Sequence, residues 1–188
     1  MRRRIAILVG QPEAREKADS NILNLINYDL FDAVVILKDT IQTTGVADSL
    51  EKMLNDSYDK PVVVIESESD YFHAITTNGY LGMYRMVSHL IEDHDYKNIF
   101  FLTGKKWHKH SIARLNAYMD AMRDHGLKVT DKDYMYGDFW YKSGEQCADK
   151  LLADPDNLPE AICCANDCMA IGVARVTVNK SLPEIENR

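Results

Sequence analysis

Short apolar runs alternate with longer amphipathic segments along this chain at a nearly regular spacing. The runs are centred near residues 7, 35, 63, 100, 135 and 163, about 28 to 37 residues apart. That spacing leaves room for one crossover helix between consecutive strands, which parallel pairing requires. Several runs are apolar at consecutive positions, as in the Val-Val-Val-Ile of residues 62–65, which is typical of strands buried on both faces. We therefore predict an α/β fold with parallel, Rossmann-like sheets.

The segments between the runs have helical periodicity. Ile112, Leu115, Met119 and Met122 recur every three or four residues, and Gly126 suits the position just after a helix end. Ser143 with Gln146 forms a capping-box pattern, which predicts a helix start there. The predicted strands are Ile5–Val9, Ala33–Leu37, Pro61–Ile65, Asn98–Leu102, Tyr134–Tyr136 and Ala161–Ala165; the other predicted helices are Asn21–Tyr28, Ala47–Asn55, Gly79–Glu92, Ser111–Gly126 and Asp167–Asn179.

Composition excludes several classes of protein. The 188 residues carry 22 Lys and Arg against 29 Asp and Glu, a net charge of −7, which argues against a general binder of nucleic-acid phosphates. No apolar run approaches the roughly 20 residues of a membrane span, and no signal-peptide cleavage pattern follows the basic start, so we expect a cytoplasmic protein. Because the four cysteines form no CxxC pair, we expect buried, reduced thiols rather than a zinc site.

Ligands of open parallel sheets bind beyond the carboxyl ends of the strands. Two stretches at such ends stand out: residues 105–110 hold three lysines, two histidines and a tryptophan, and residues 138–141 place an aspartate beside three aromatics. Aromatic faces next to polar groups suit a sugar or a heterocycle. The other strand-end residues are Gln11, Lys38, Asp39, Glu66, Ser67, Thr103, Gly104, Asn166 and Asp167.

The sequence lacks the common enzyme signatures. It contains no GxGxxG after a strand, no complete P-loop, no GxSxG elbow and no HExxH. His108 and His110 could chelate a metal, but no third ligand has suitable spacing, so we predict neither a metal nor a cofactor. These absences favour binding over catalysis; a small α/β enzyme using Asp138, Asp167 or His110 as acid–base groups is the alternative.

Several short segments, in their order and spacing, resemble the regulatory domain of LacI/GalR-type transcription regulators, which has the fold of type I periplasmic sugar-binding proteins. They include residues 61–65, Thr77-Asn78 with Gly82, 99–104, Ser111 with Arg114-Leu115, 137–139 with Ser143-Gly144, and 165–172. The sequences of residues 76–84 and 137–141 are also similar to those of sensor domains attached to GGDEF diguanylate cyclases.

The resemblance implies a two-lobed domain whose cleft binds a small effector: a sugar, sugar phosphate or nucleobase. Arg114 matches an effector-clamping arginine, and Phe139 matches an aromatic that packs on the effector ring, with Trp140 beside it. Asn166 and Asp167 match a pair at the cleft edge, although Asn166 could simply cap the following helix. His108 and His110 fall at variable polar contacts. The family's signalling further implies a homodimer that closes its lobes on the effector and contacts DNA only through an output domain outside this chain.

The sequence departs from the family pattern at three places. Thr77 stands where an aspartate is often found, the first strand–helix unit has no counterpart because residues 4–10 align best with the second strand, and the C-terminal return segments are missing. The sequence of residues 181–185 predicts a segment that leads into a further strand. We therefore expect a partial N-terminal lobe at residues 1–94 and a partial C-terminal lobe at residues 95–188.

Overall fold

The computed structural model describes residues 3–10, 23, 25–41, 43 and 45–181. Its strands are β1 (Ile5–Val9), β2 (Ala33–Leu37), β3 (Val62–Ile65), β4 (His73–Ile75), β5 (Ile99–Thr103), β6 (Tyr134–Tyr136) and β7 (Ala161–Cys164). Its helices are α1 (Val46–Ser57), α2 (Gly79–Glu92), α3 (Lys109–Asp124), α4 (Tyr141–Leu152) and α5 (Asp167–Ser181), with single 3-10 turns at Tyr28–Leu30, Lys38–Thr40 and Pro155–Asn157. All the strand pairs are parallel, which confirms the predicted α/β class.

Most predicted elements appear within two residues of their predicted ends. Strand β4 was not predicted from the sequence, because it is only three residues long and all three are exposed. Of the helix predicted at residues 21–28, residues 21, 22 and 24 lie outside the described residues, and the prediction was wrong for residues 25–28, which form a turn and an irregular segment that lead into the 3-10 turn at Tyr28–Leu30. Gln11 and most of the predicted strand approach at 181–185 lie outside the described residues. No described helix is both long enough and apolar enough to cross a lipid bilayer.

The chain divides into two compact units, residues 1–77 and 78–188. Helix α2 packs against α3 and so belongs to the second unit. The predicted boundary between lobes after His94 stays a prediction.

The first unit contains a four-stranded sheet in the order β1-β2-β3-β4. Its core joins one sheet face, including Val34, Ile36 and Val64, to Leu50 and Leu54 of helix α1. Burial alternates along β1, β2 and β3, so the consecutive apolar residues do not give burial on both faces here. Among the described residues α1 covers one face of these strands, while the other face is half-buried along β2 and β3 and exposed along β1.

Polar residues at the strand ends of this unit have structural partners. The Lys38 ammonium lies 2.6 Å from Oε1 of the buried Glu51 and 3.0 Å from the Asp48 carboxylate. Glu66 takes a left-handed φ of 62° and its carboxylate accepts a hydrogen bond from Thr77. Lys38 therefore compensates a buried carboxylate.

The second unit contains a three-stranded sheet in the order β6-β5-β7. All five residues of the central strand β5 are buried, as the continuous apolar run predicted. Helices α4 and α5 approach so closely that a methyl group at Gly144 would overlap the Met169 carbonyl oxygen, and one at Gly172 would overlap that of Tyr141. The predicted end of α3 is also confirmed, since Gly126 follows it with a φ of 76°.

Candidate functional site

Three loops leave the carboxyl ends of the parallel strands β5, β6 and β7 along one edge of the sheet. They contain or adjoin every side chain that the sequence nominated in this unit: His108, His110, Arg114, Phe139, Trp140, Asn166 and Asp167. This edge is the usual position for a ligand site in an open parallel sheet.

Phe139 occupies the middle of this edge in an unusual backbone conformation. Its φ of 76° lies in the left-handed region, which bulky residues rarely adopt. Its ring packs so tightly on Gly104 that a methyl group there would overlap two ring carbons. Strain of this kind persists only where surrounding contacts hold it, and it tends to occur at functional sites.

Asn166 supplies one of those contacts. Its Nδ2 donates to the Phe139 carbonyl at 2.8 Å, while its Oδ1 accepts from the Met169 backbone N–H at 3.0 Å. The second bond caps the N-terminus of α5. The capping role raised from the sequence is thus confirmed, and the same side chain also fixes the strained loop.

His108 lies beside the Phe139 ring, and His110 lies next to His108. The His108 ring meets Phe139 edge to face, with centroids 4.9 Å apart, and the His110 ring lies 5.6 Å from His108. Trp107 adds an exposed aromatic face 5.8 Å from His108. These rings offer both an apolar surface and imidazole nitrogens, a combination suited to a ring-shaped polar ligand.

Arg114 reaches from the second turn of α3 to the end of β7. Its Nη1 donates to the Ala165 carbonyl at 3.0 Å, and a methyl group at Gly79 would lie 3.1 Å from its Nε. The bond to Ala165 uses one of the five N–H donors of a guanidinium. The side chain is half-buried, so it is held in place but still borders the solvent.

Ser111 is a site residue that the sequence reasoning did not nominate for ligand contact. It is 1% exposed, and its Oγ has no hydrogen-bond partner among the described residues. The Oγ would overlap a methyl group at Gly104, which places it next to the Phe139 ring. A buried hydroxyl without a partner costs free energy, but this Oγ has less than 1 Å² of accessible surface, so a ligand could contact it only if the surrounding side chains moved.

The charges around this edge are mainly positive. Lys105 lies over the Trp107 ring at 5.5 Å and Lys106 over the Tyr136 ring at 4.7 Å. Partial burial would raise the pKa of Asp138, but hydrogen bonding with Ser143 and the Trp140 backbone outweighs it and lowers that pKa. The aspartate is therefore a fixed anion that orders its own loop rather than a proton donor near neutral pH.

The remaining two predicted residues lie at the margin. The Trp140 indole is 43% exposed, and its backbone N–H donates to Asp138 at 2.9 Å. Asp167 is exposed in the first turn of α5, and among the described residues we find no hydrogen bond or ion pair joining it to the other predicted site residues.

The capping box predicted at Ser143 was wrong. Helix α4 begins at Tyr141, and the Ser143 hydroxyl donates back to the Trp140 carbonyl at 2.9 Å. Ser143 thus tightens the loop before the helix, and its hydroxyl also accepts a 3.3 Å bond from the Asp138 backbone N–H.

Three of the four cysteines, Cys147, Cys163 and Cys164, lie in or against the core of this unit. Cys147 and Cys163 are buried free thiols, as expected from the sequence. Burial raises the pKa of Cys147 to about 11 and the pKa of Cys163 and Cys164 to about 12. These groups therefore stay protonated near neutral pH and are poor nucleophiles.

The fold and this edge define a ligand-binding class of α/β protein, and comparison with known proteins identifies the family. The sequence profile of the family described as "periplasmic binding proteins and sugar binding domain of LacI family" matches residues 6–187. The chain belongs to this family, which confirms the resemblance seen in the sequence.

Individual relatives agree with this assignment. The chain is 33% identical over 137 residues to the HTH-type transcriptional repressor PurR of Pasteurella multocida, a match that covers 72% of the chain and 40% of the repressor. It is similar in fold to a LacI-family sugar-binding transcriptional regulator from Escherichia coli complexed with phosphate (TM-score 0.63, 24% identity, 91% of this chain and 58% of that one). A LacI-family regulator from Enterococcus faecalis gives a TM-score of 0.67 at 19% identity, over 93% of this chain and 71% of that one. The chain spans about 40% of the length of the curated relative.

Proposed function

We propose that this chain is part of a non-enzymatic, effector-binding sensor domain of a LacI-type transcriptional regulator. The effector is a small molecule, namely a sugar, sugar phosphate or nucleobase. Binding would favour a closed arrangement of two lobes and so bias an output domain outside this chain, in a cytoplasmic homodimer that contacts DNA only through that domain. The curated repressor relatives support a DNA-binding output over a diguanylate cyclase.

The observation that carries the proposal is the strained Phe139 loop. Asn166 holds the Phe139 backbone, the ring rests on Gly104, and His108 lies against the ring edge. An aromatic surface fixed in this way loses little conformational entropy when a ligand ring packs on it.

The polar groups around Phe139 support an effector with an anionic or polyhydroxyl group. Arg114 carries a fork of donors suited to carboxylates, phosphates and vicinal hydroxyls. Lys105 and Lys106 add positive charge. An anionic effector implies affinity that falls as salt rises from low to moderate ionic strength.

A thermal-shift screen with sugars, sugar phosphates and nucleobases tests the proposal. We expect one class to raise the melting temperature by several degrees and to be recovered unchanged after incubation. Chemical turnover of that compound would instead support the small α/β enzyme. If no compound from the three classes shifted the melting temperature, the proposed effector classes would be wrong.

A further inference from the structure

A pair of histidines lies at the C-terminal end of helix α2, away from the edge described above. His89 is in the last turn of α2 and His94 follows the helix. The Nε2 atoms of the two rings lie 3.2 Å apart, and the rings are nearly perpendicular at 89°. Gly79, which adjoins Arg114, begins this 14-residue helix, so the pair lies about 20 Å from that end.

We propose that His89 and His94 chelate a divalent transition-metal ion such as Zn²⁺. Zinc binds imidazole nitrogens at about 2.0–2.1 Å in tetrahedral geometry, which places two ligand nitrogens roughly 3.3 Å apart. The 3.2 Å separation of the two Nε2 atoms matches this spacing.

The second ring nitrogen of His89 is already bound in the way that metal-ligating histidines require. Its Nδ1 lies 2.5 Å from the Asp93 carboxylate. A carboxylate at Nδ1 fixes the tautomer that carries its proton there, and this leaves the Nε2 lone pair for the metal.

The turn after α2 holds His94 in position. The backbone N–H groups of Asp95 and Tyr96 donate to the carbonyls of Ile91 and Leu90, and Asp95 takes a φ of 56°. These bonds fold the chain back over the last turn of the helix, and the Tyr96 ring stacks on His94 with centroids 5.5 Å apart. These contacts fix the backbone that carries the two imidazoles and support one face of the His94 ring.

The pair supplies two ligands, and the other coordination positions belong to water or to another molecule. Among the described residues no group of three His, Cys, Asp or Glu side chains is placed to hold a metal. Both imidazoles are exposed, so a metal could enter directly from solvent. Two neutral imidazoles favour Zn²⁺, Ni²⁺ or Cu²⁺ over Mg²⁺, which prefers oxygen ligands.

Isothermal titration of the full chain with Zn²⁺, with Mg²⁺ as a control ion, tests this proposal. We expect one Zn²⁺ site per chain, weaker than a four-ligand structural zinc site, which His89→Ala and His94→Ala each remove. Asp93→Asn should weaken binding by at least about tenfold, because it disturbs the partner of a ligand. His73→Ala, which removes an exposed histidine of strand β4, serves as the matched control and should bind like the wild type.

A spectroscopic measurement separates this chelate from binding elsewhere. With Cu²⁺, the paramagnetic resonance spectrum should show coupling to two imidazole nitrogens, and either histidine variant should abolish that pattern. Zn²⁺ binding that is unchanged in both histidine variants, or that is lost only when the cysteines are replaced, would overturn the proposal.

Discussion

Asn166 shows how one side chain can serve both the fold and the site. Its amide oxygen caps helix α5 and its amide nitrogen holds the Phe139 carbonyl. An aspartate has the same shape and can cap a helix, but it has no N–H to donate. The two functions of this residue can therefore be separated by substitution.

We predict that Asn166→Asp retains most of the stability of the protein but weakens effector binding, because the Phe139 loop is released. Asn166→Ala should lose the cap as well and destabilise the protein by about 1–2 kcal/mol. Urea denaturation measures the free energy of unfolding of each variant, and calorimetric titration measures its affinity for the effector. Equal effector affinity in wild type and Asn166→Asp would contradict this role.

His125 is a residue whose protonation affects stability. Its Nε2 lies 2.8 Å from Glu92 and its Nδ1 lies 2.7 Å from the Ala121 carbonyl, so it links the end of α3 to the end of α2. The hydrogen bond with Glu92, followed by the one with Ala121, raises the pKa of His125 above 6.5. A raised histidine pKa means stabilisation that is complete below the unfolded pKa and is lost as pH rises through the folded pKa.

The stability lost in His125→Gln should therefore be larger at pH 6 than at pH 8.5. The comparison uses the difference in free energy of unfolding between wild type and variant at each pH, so titration of the other histidines largely cancels. If the difference in free energy of unfolding between wild type and His125→Gln were the same at pH 6 and pH 8.5, the charge of His125 would not contribute to stability.

At the scale of the elements, the sequence predicted what depends on local pattern. The apolar run at residues 98–102 predicted a strand, and Gly126 indicated the end of α3; both are confirmed, with the strand at Ile99–Thr103. Strand β4 was missed because its three residues pair with β3 only through tertiary contacts. The capping box predicted at Ser143 was wrong because the Ser143 hydroxyl donates to the Trp140 carbonyl in the preceding loop.

The site was predictable in position but not in its internal contacts. The rule that ligands bind beyond the carboxyl ends of parallel strands located the edge, and the family resemblance selected Arg114 and Phe139. The left-handed φ of Phe139 and the buried hydroxyl of Ser111 depend on packing between distant segments, so no local pattern indicated them.

The contact between α4 and α5 gives a prediction about elements. Gly144→Ala should destabilise the protein by about 1–3 kcal/mol, because its methyl group would overlap the Met169 carbonyl oxygen. Gly82→Ala is the matched control in α2: its methyl group meets nothing within 4 Å, so helix propensity should make it neutral or stabilising by up to about 1 kcal/mol. Similar denaturation midpoints for the two variants would argue against the tight α4–α5 contact.

At the scale of the whole molecule, the chain belongs to the LacI-type binding-protein family and spans about 40% of its curated repressor relative. Its net charge of −7 describes this stretch of sequence and says nothing of a DNA-binding output domain. The positive groups near Phe139 show that local charge at the candidate site differs in sign from the charge of the chain. The proposed effector binding therefore depends on the residues around Phe139 and not on the net charge of the chain, and substitution of those residues tests it directly.

The most direct test is calorimetric titration of the effector found by screening into wild type, Arg114→Ala, Phe139→Ala and Arg123→Ala. Arg123 is an exposed arginine at the other end of α3 and pairs with Asp120 and Asp124, so it controls for loss of a positive charge. We predict that Arg114→Ala and Phe139→Ala abolish binding while Arg123→Ala binds like the wild type. Undiminished affinity in folded Arg114→Ala and Phe139→Ala would contradict a site at the carboxyl edge of the β6-β5-β7 sheet.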